Sequence, residues 1–334
     1  MSQLCVELVA LLEPSVALDD LKRASDQGQA AAMTALAKRL LVGADAPFSP
    51  AEGLERLADA AALGDPDAPA IAATLAAAGA WRGQSWTDAF DLLTVAAERG
   101  SCMARQQLRL LAGVGDTAWR AMASRIDLAS WLAPPPRTPI CEAPRIRVAS
   151  SFIAPAICDW LVARNRNKVQ PAKMVDSYGA TPRFTVDRTN SDYVVDIVNA
   201  DVVLTLVRAR ISAFVNLPTV AFEPPQMLHY APGQMLKPHF DFLRRGPNDD
   251  DAANQGDRIL TALIYLNDNY EGGETDFPRA GVRYKGAKGG AVVFANVDPT
   301  GRPDPMTLHA GLPPLSGEKW LMSQWVRDRP IATG

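Results

Sequence analysis

His239-Phe240-Asp241 is answered far downstream by His309 and, ten positions beyond that, by Lys319. The triplet decides the fold because it works only on an extended strand. There, successive side chains alternate between faces, so His239 and Asp241 project together and can chelate one ion while Phe240 turns away. A third ligand has to come from a distant strand, and His309 is the candidate. Two imidazoles and one carboxylate, with the remaining positions open, suit non-haem Fe(II) and dioxygen. The third histidine of the chain, His229, reads as a strand residue hydrogen-bonding locally. Between His309 and Lys319, Pro313-Pro314-Leu315-Ser316-Gly317 spells a turn, which predicts that the strand of Lys319 returns beside that of His309. An ammonium inside a barrel is costly unless paired, so Lys319 calls for an incoming carboxylate. A hydrolytic zinc site fits less well: no general base accompanies the triad and Lys319 would serve nothing.

Outward from the triplet the chain is written in short β-branched and aromatic runs bounded by Gly, Pro, Asn and Asp. Strands are expected over Met227–Tyr230, Ile259–Leu266, Val282–Lys285, Ala291–Ala295 and Trp320–Val326, separated by turns. Helices are expected near Pro155–Asn167 and Ala200–Val215. Two helices followed by about seven or eight short strands describe a double-sheet jelly roll of cupin type, a double-stranded β-helix with supporting helices.

The first third of the chain repeats. Gly28, Gly64 and Gly100 fall at a 36-residue step, as do Leu21, Leu57 and Leu93, then Ala24, Ala60 and Ala96, then Ala32, Ala68 and Ala104, and finally Gly43, Gly79 and Gly115. Such a period marks stacked helical pairs: leucines form the apolar stripe, a glycine ends each helix, and small alanines allow close packing. A helix around Trp119 to Trp131 is expected to close the stack. Ala133-Pro-Pro-Pro-Arg-Thr-Pro139, with Pro144, reads as a semi-rigid linker. The predicted fold class is therefore α+β. The expected domains are a helical repeat over 1–132, a Pro-rich linker over 133–144 and the jelly roll over 145–334.

Bulk properties exclude several classes. The chain has 334 residues, 48% apolar and 21% charged, with a formal net charge of −3, so no basic field recommends nucleic acid or an anionic membrane. No apolar run reaches the length of a bilayer span, and the N-terminus, with Glu7 and Glu13, lacks the basic region of a secretory signal. Cys5, Cys102, Cys141 and Cys158 are scattered, which points to buried thiols in a reducing compartment, the cytoplasm by default. Asn248-Asp-Asp-Asp251, just after the triplet, reads as a lid or solvated loop.

Several stretches taken in order resemble the prolyl 4-hydroxylase family of 2-oxoglutarate oxygenases. They are Arg188-Thr-Asn-Ser191, Glu223-Pro-Pro-Gln226, Tyr230-Ala-Pro-Gly-Gln234 leading into His239-Phe-Asp241, and Arg258 to Asn267. Then come Gly272-Gly-Glu-Thr-Asp-Phe-Pro278, Lys288 to Phe294, Leu308-His309-Ala-Gly311, and Gly317-Glu-Lys-Trp320 with Trp325. The repeats resemble the Sel1-like repeat, a relative of the tetratricopeptide repeat. The family resemblance implies that His239, Asp241 and His309 bind Fe(II), and that Lys319 and Tyr230, with Thr261, hold the far carboxylate of 2-oxoglutarate. It implies Arg258 and Trp325 as substrate residues, dioxygen as co-substrate and ascorbate as a further cofactor. Decarboxylation of 2-oxoglutarate to succinate would be coupled to hydroxylation. Leu236 departs from the pattern, standing where many relatives place a tyrosine three residues before the first ligand.

Three functions fit these observations. The first is a dioxygenase hydroxylating a peptidyl side chain, proline among the targets, with the repeats presenting a surface for an extended polypeptide. The second is a hydroxylase of a free amino acid or small metabolite. The third is a repeat-based adaptor whose barrel only senses 2-oxoglutarate or iron. The sequence leaves the oligomeric state open.

Overall fold

Alanine-rich helices ended by glycines build the first part of the chain in the computed structural model, which describes residues 16–113, 118–173, 184–243 and 256–331. Helices span Leu18–Asp26, Ala30–Val42, Pro50–Ala62, Ala68–Ala78, Trp86–Glu98 and Cys102–Ala112. The first helix of each pair stops in one way: Gly28, Gly64 and Gly100 adopt φ of 80°, 92° and 105°. In the middle repeat the Gly64 and Asp65 amides turn back onto the carbonyls of Ala61 and Ala60 at 3.1 and 3.0 Å. This paired back-bonding satisfies carbonyls the helix leaves open and needs a residue that tolerates positive φ. The second helices stop at Gly43, Gly79 and Gly113. The third stop therefore falls at Gly113 and not at Gly115, which lies outside the described residues. Two short helices follow, Trp119–Ala123 and Leu128–Leu132, where one helix was expected. The second is started by Asp127, whose carboxylate accepts from the Ser130 amide and hydroxyl.

Among the described residues, the helical unit takes the chain up to Leu132 together with Asp196–Arg208. Val198 is buried with Met33, Leu57 and Leu75, and Ile197 packs beside it. Lys38 donates to Asn199 Oδ1 at 3.3 Å, and the Val202 amide donates to Gln107 Oε1 at 3.0 Å. Residues 197–202 thus run across the second helices, from the first repeat to the third. Sequence periodicity carries no trace of this insertion, because the segment belongs to the stack only through contacts with residues far away in the chain.

The other unit takes Ala133–Val195 and the described residues from Ala209 onward. Its strands are β1 (Thr138–Cys141), β2 (Ile146–Ala149), β3 (Gln170–Pro171), β4 (Ser191–Val194), β5 (Gln226–Tyr230), β6 (Leu236–His239), β7 (Arg258–Tyr265), β8 (Glu271–Gly272), β9 (Thr275–Phe277), β10 (Val282–Tyr284), β11 (Ala291–Ala295), β12 (His309–Gly311), β13 (Pro314–Ser316) and β14 (Lys319–Arg327). They form an eight-stranded sheet ordered β1-β2-β11-β7-β14-β5-β4-β3, a four-stranded sheet ordered β10-β9-β12-β6, and the pair β13-β8. All described pairings are antiparallel. Ile146, Leu228, Leu263, Tyr265, Val292, Phe294 and Leu321 of the large sheet meet Phe277 of the small one in a single core. The double-sheet architecture is as expected, but the large sheet gains β1 to β4. Residues 138–141, expected in the linker, are its edge strand.

The glycine stops give a test of the repeat. Gly79 has φ of 71°, and a Cβ there would sit 3.2 Å from Gln84, whereas a Cβ at Gly83 meets nothing within 4 Å. Gly79→Ala is expected to lower unfolding free energy by about 1–2 kcal/mol in urea titration. Gly83→Ala should leave the midpoint near its original value.

Candidate active site

Pairing between β6 and β12 places His239 opposite His309, with ring centroids 4.2 Å apart. Asp241, two residues past His239, comes in from the same side. One ligand atom from each of His239, Asp241 and His309 lies within 4.8 Å of the others. The two Nε2 atoms are 3.5 Å from the two carboxylate oxygens of Asp241. Each imidazole is oriented from behind: His239 Nδ1 donates to the Lys237 carbonyl at 2.9 Å and His309 Nδ1 to the Thr307 carbonyl at 3.0 Å. The tautomer that results presents Nε2 as the free lone pair, which a metal ligand needs. Burial and the neighbouring His239 push His309 down to about 4, so its imidazole is neutral at physiological pH. Burial opposes ionisation of Asp241. The positive charge that His309 and His239 carry when protonated, together with a hydrogen bond from Thr261, outweighs it and holds the carboxyl well below the usual range. Carboxylate and neutral imidazoles are the forms that bind a cation.

The triad lines a cavity of about 570 Å³ shared with Lys319, Tyr230 and Thr275. Every second residue of β14 faces it, namely Lys319, Leu321, Ser323 and Trp325. They stand opposite alternate residues of β5, with Lys319 paired to Tyr230, Leu321 to Leu228 and Ser323 to Gln226. Lys319 is fully buried, and its Nζ has no hydrogen-bond partner among the described residues. It lies 5.0 Å from the Tyr230 ring centre and 5.8 Å from that of Tyr265. Burial, aided by Lys285 and opposed by Glu274, pushes the ammonium down to about 7. Burial likewise raises Tyr230 to about 12, keeping a neutral phenol in the cavity. Thr275, also buried, shares a 2.8 Å hydrogen bond with the Tyr265 hydroxyl.

Two sequence expectations are corrected here. Lys319 does not return beside His309: β12 belongs to the small sheet and β14 to the large one. Prolines 313 and 314 cannot donate to a ladder, so the chain crosses between sheets through β13, and Lys319 reaches the cavity from the facing sheet. Thr261 is not at the carboxylate end. It pairs with Trp325, six residues from Lys319, or about 20 Å along the strand, and its hydroxyl donates to Asp241 Oδ2 at 2.7 Å. Thr275 lines the cavity together with Lys319 and bonds the Tyr265 hydroxyl. It stands in the Gly272-Gly-Glu-Thr275 run already quoted, but a lone threonine carries no pattern that marks it.

Arg258 and Trp325 both line the cavity. The Arg258 guanidinium stacks 3.6 Å from the Trp325 ring centre and grips Glu223 with two bonds of 2.6 and 2.8 Å. Arg327 adds a third at 2.7 Å. Arg258 therefore props the wall while showing the cavity its edge. Trp325 Nε1 is buried without a partner. Leu236 lines the same cavity beside Arg188 and gives it an apolar surface at that point. His229 faces away from the cavity, bonded to Glu318 at 2.9 Å and packed on Trp320, as expected of a structural residue.

Residues 225–327 match the 2OG-Fe(II) oxygenase superfamily. Prolyl 4-hydroxylase 1 of Arabidopsis thaliana is 32% identical over 206 residues, covering 56% of this chain and 70% of the relative. The chain belongs to the prolyl 4-hydroxylase family of 2-oxoglutarate-dependent dioxygenases. A probable prolyl 4-hydroxylase 6 from the same plant is 31% identical over 227 residues, covering 62% of this chain and 77% of its own length. Among solved structures, a viral collagen prolyl hydroxylase from Paramecium Bursaria Chlorella virus-1 shares 27% identity, covering 56% of this chain and 98% of its own, with a TM-score of 0.44. A Sel1 repeat protein from Oxalobacter formigenes shares 28% identity over 32% of this chain and 87% of its own, with a TM-score of 0.27.

This family's Fe(II) and 2-oxoglutarate fit the residues present. Three convergent ligand atoms suit the cation, and a buried ammonium without a partner suits a carboxylate. Burying the Lys319 ammonium also carries a cost when no anion is bound. Its pKa lies below the ordinary lysine value, so between about pH 7 and 10.5 the folded protein binds fewer protons than the unfolded chain. Stability should therefore rise with pH across that window. Lys319→Met is expected to flatten the rise and to stabilise the metal-free protein at pH 7 by on the order of 1–3 kcal/mol, read from denaturant midpoints. An unchanged slope would show that the ammonium is not buried.

Proposed function

We propose that this enzyme hydroxylates a C–H bond of a peptidyl side chain, proline among the targets, using one atom of dioxygen, while the other enters succinate as 2-oxoglutarate loses carbon dioxide. The observation that carries the reading is the unpaired Lys319 ammonium, buried in the same cavity as His239, Asp241 and His309. When bound, Fe(II) and 2-oxoglutarate supply the oxidising chemistry; the chain supplies placement. His239, Asp241 and His309 would hold the iron. Lys319 would pair with the far carboxylate of 2-oxoglutarate, with the neutral Tyr230 phenol and the Thr275 hydroxyl as donors on either side. Binding a carboxylate restores the charge on Lys319, so above pH 7 the complex takes up a proton. Leu263, Leu321 and Leu236 give the cavity apolar walls that exclude water from the reacting centre.

A polypeptide substrate is supported by the two curated relatives, both named as prolyl 4-hydroxylases, and by the walls of the cavity. Trp325 offers a buried, unpartnered N–H to a peptide carbonyl, and Arg258 is held rigid by Glu223 beside it. Leu236 offers packing and no hydrogen bond, which favours an apolar residue at that point of the substrate. The helical unit is our proposed dock for the polypeptide. Its second-helix layer carries residues 197–202, so docking falls to the layer of helices Leu18–Asp26, Pro50–Ala62 and Trp86–Glu98. Ascorbate is retained as a proposed reductant.

Succinate release from 2-oxoglutarate, measured with Fe(II) and proline-containing peptides or with free amino acids, tests this reading. Peptides should stimulate turnover and gain one oxygen atom by mass spectrometry, and His309→Ala should abolish both. Lys319→Ala should raise the KM for 2-oxoglutarate at least tenfold, the scale of one lost charge-assisted hydrogen bond of about 1.5–3 kcal/mol. Stimulation by free amino acids alone would exclude a peptidyl substrate.

A further inference from the structure

We infer that Asn296 positions the metal-binding triad, holding Asp241 and His309 through two arms of one hydrogen-bond network. This rests on reading His239, Asp241 and His309 as iron ligands. Asn296 follows directly after β11 and is completely buried. Its side chain forms the first arm: Nδ2 donates to Thr261 Oγ1 at 3.0 Å, and Thr261 Oγ1 donates to Asp241 Oδ2 at 2.7 Å. Its backbone begins the second arm. The Asp304 amide donates to the Asn296 carbonyl at 2.9 Å, and the Thr307 hydroxyl donates to the Asp304 carbonyl at 2.7 Å. The Thr307 carbonyl then receives His309 Nδ1 at 3.0 Å. The amide of Asn296 itself is tied to the Ile259 carbonyl at 2.8 Å, which fixes the node to β7.

Proton counting shows why an amide stands there. A threonine hydroxyl has one hydrogen to donate. Asp241 is ionised and can only accept, so that hydrogen must point at Oδ2. The third group must therefore donate to Thr261, and the NH2 of Asn296 does. A carboxylate or a second hydroxyl in its place could take the hydrogen from Asp241. The cost is visible: Asn296 Oδ1 is buried with no partner, a penalty that an apolar residue of similar size would avoid. With Oδ2 engaged by Thr261, Oδ1 is the carboxylate oxygen left for the cation.

Co(II) binding to the full-length, metal-free protein tests the assignment, using affinity and the visible absorption of the bound ion. Urea midpoints of the same metal-free samples are measured alongside. Asn296→Asp, Asn296→Leu and Thr261→Val should each weaken Co(II) binding about 10–100-fold and change its spectrum, while Thr261→Ser, which keeps the hydroxyl, should preserve both. Affinity and spectrum like those of the unmodified protein in Asn296→Leu and Thr261→Val, whatever their urea midpoints, would reduce Asn296 to packing and overturn the proposal. His309→Ala separates the two layers of the argument. If it binds Co(II) as tightly as the unmodified protein, the ligand assignment fails first and Asn296 falls with it.

Discussion

Antiparallel pairing of β6 with β12 is the constraint on which the rest of the site hangs. It brings together two histidines that are distant in sequence and sets their ring centres 4.2 Å apart. Sliding either strand by one residue would turn one imidazole to the other side of the small sheet. The register is held from outside the site as well as within it. Residues 187–189 bond along the free edge of β6 through the Lys237 amide on the Asp187 carbonyl and Thr189 on Met235. Phe277 and Phe294 pack on the His309 ring from the core side. A metal centre built this way is a property of sheet register before it is a property of any ligand.

The large sheet contributes the opposite element, a cation stored where folding would reject it. Lys319 stands in a position that an apolar residue would fill at lower cost, since burying an ammonium without a partner is unfavourable. Around Glu223 the same fold shows how such charges are normally handled, with Arg258 and Arg327 sharing one carboxylate. The contrast sets charges that arrive paired against the Lys319 ammonium, whose Nζ has no hydrogen-bond partner among the described residues. Asn296, although uncharged, likewise keeps a buried carbonyl oxygen with no partner among the described residues.

Much of this was legible in the chain because the informative signals were local or periodic. The i, i+2 relation of His239 and Asp241, the run to Phe294 and the leucine and glycine registers each declare an element by spacing alone. The parts that were not legible depend on distant contacts. Strands β1 to β4 are two to four residues long, so alternation has no room to show. Residues 196–208 join the helical unit through Lys38 and Gln107, which no local pattern announces. Thr261 and Thr275 are chemically alike, and only the sheet register assigns one to the aspartate and the other to the Tyr265 hydroxyl. The turn through Pro313 and Pro314 was visible as a turn; that it changes sheets follows from amides the prolines lack.

Anomalous diffraction at the iron edge, from crystals grown anaerobically with Fe(II) and 2-oxoglutarate, tests the central claim most directly. The account predicts one iron peak bonded to His239 Nε2, Asp241 and His309 Nε2, with a carboxylate of 2-oxoglutarate on Lys319 Nζ. Iron bound elsewhere, or a co-substrate that leaves Lys319 unpaired, would contradict it.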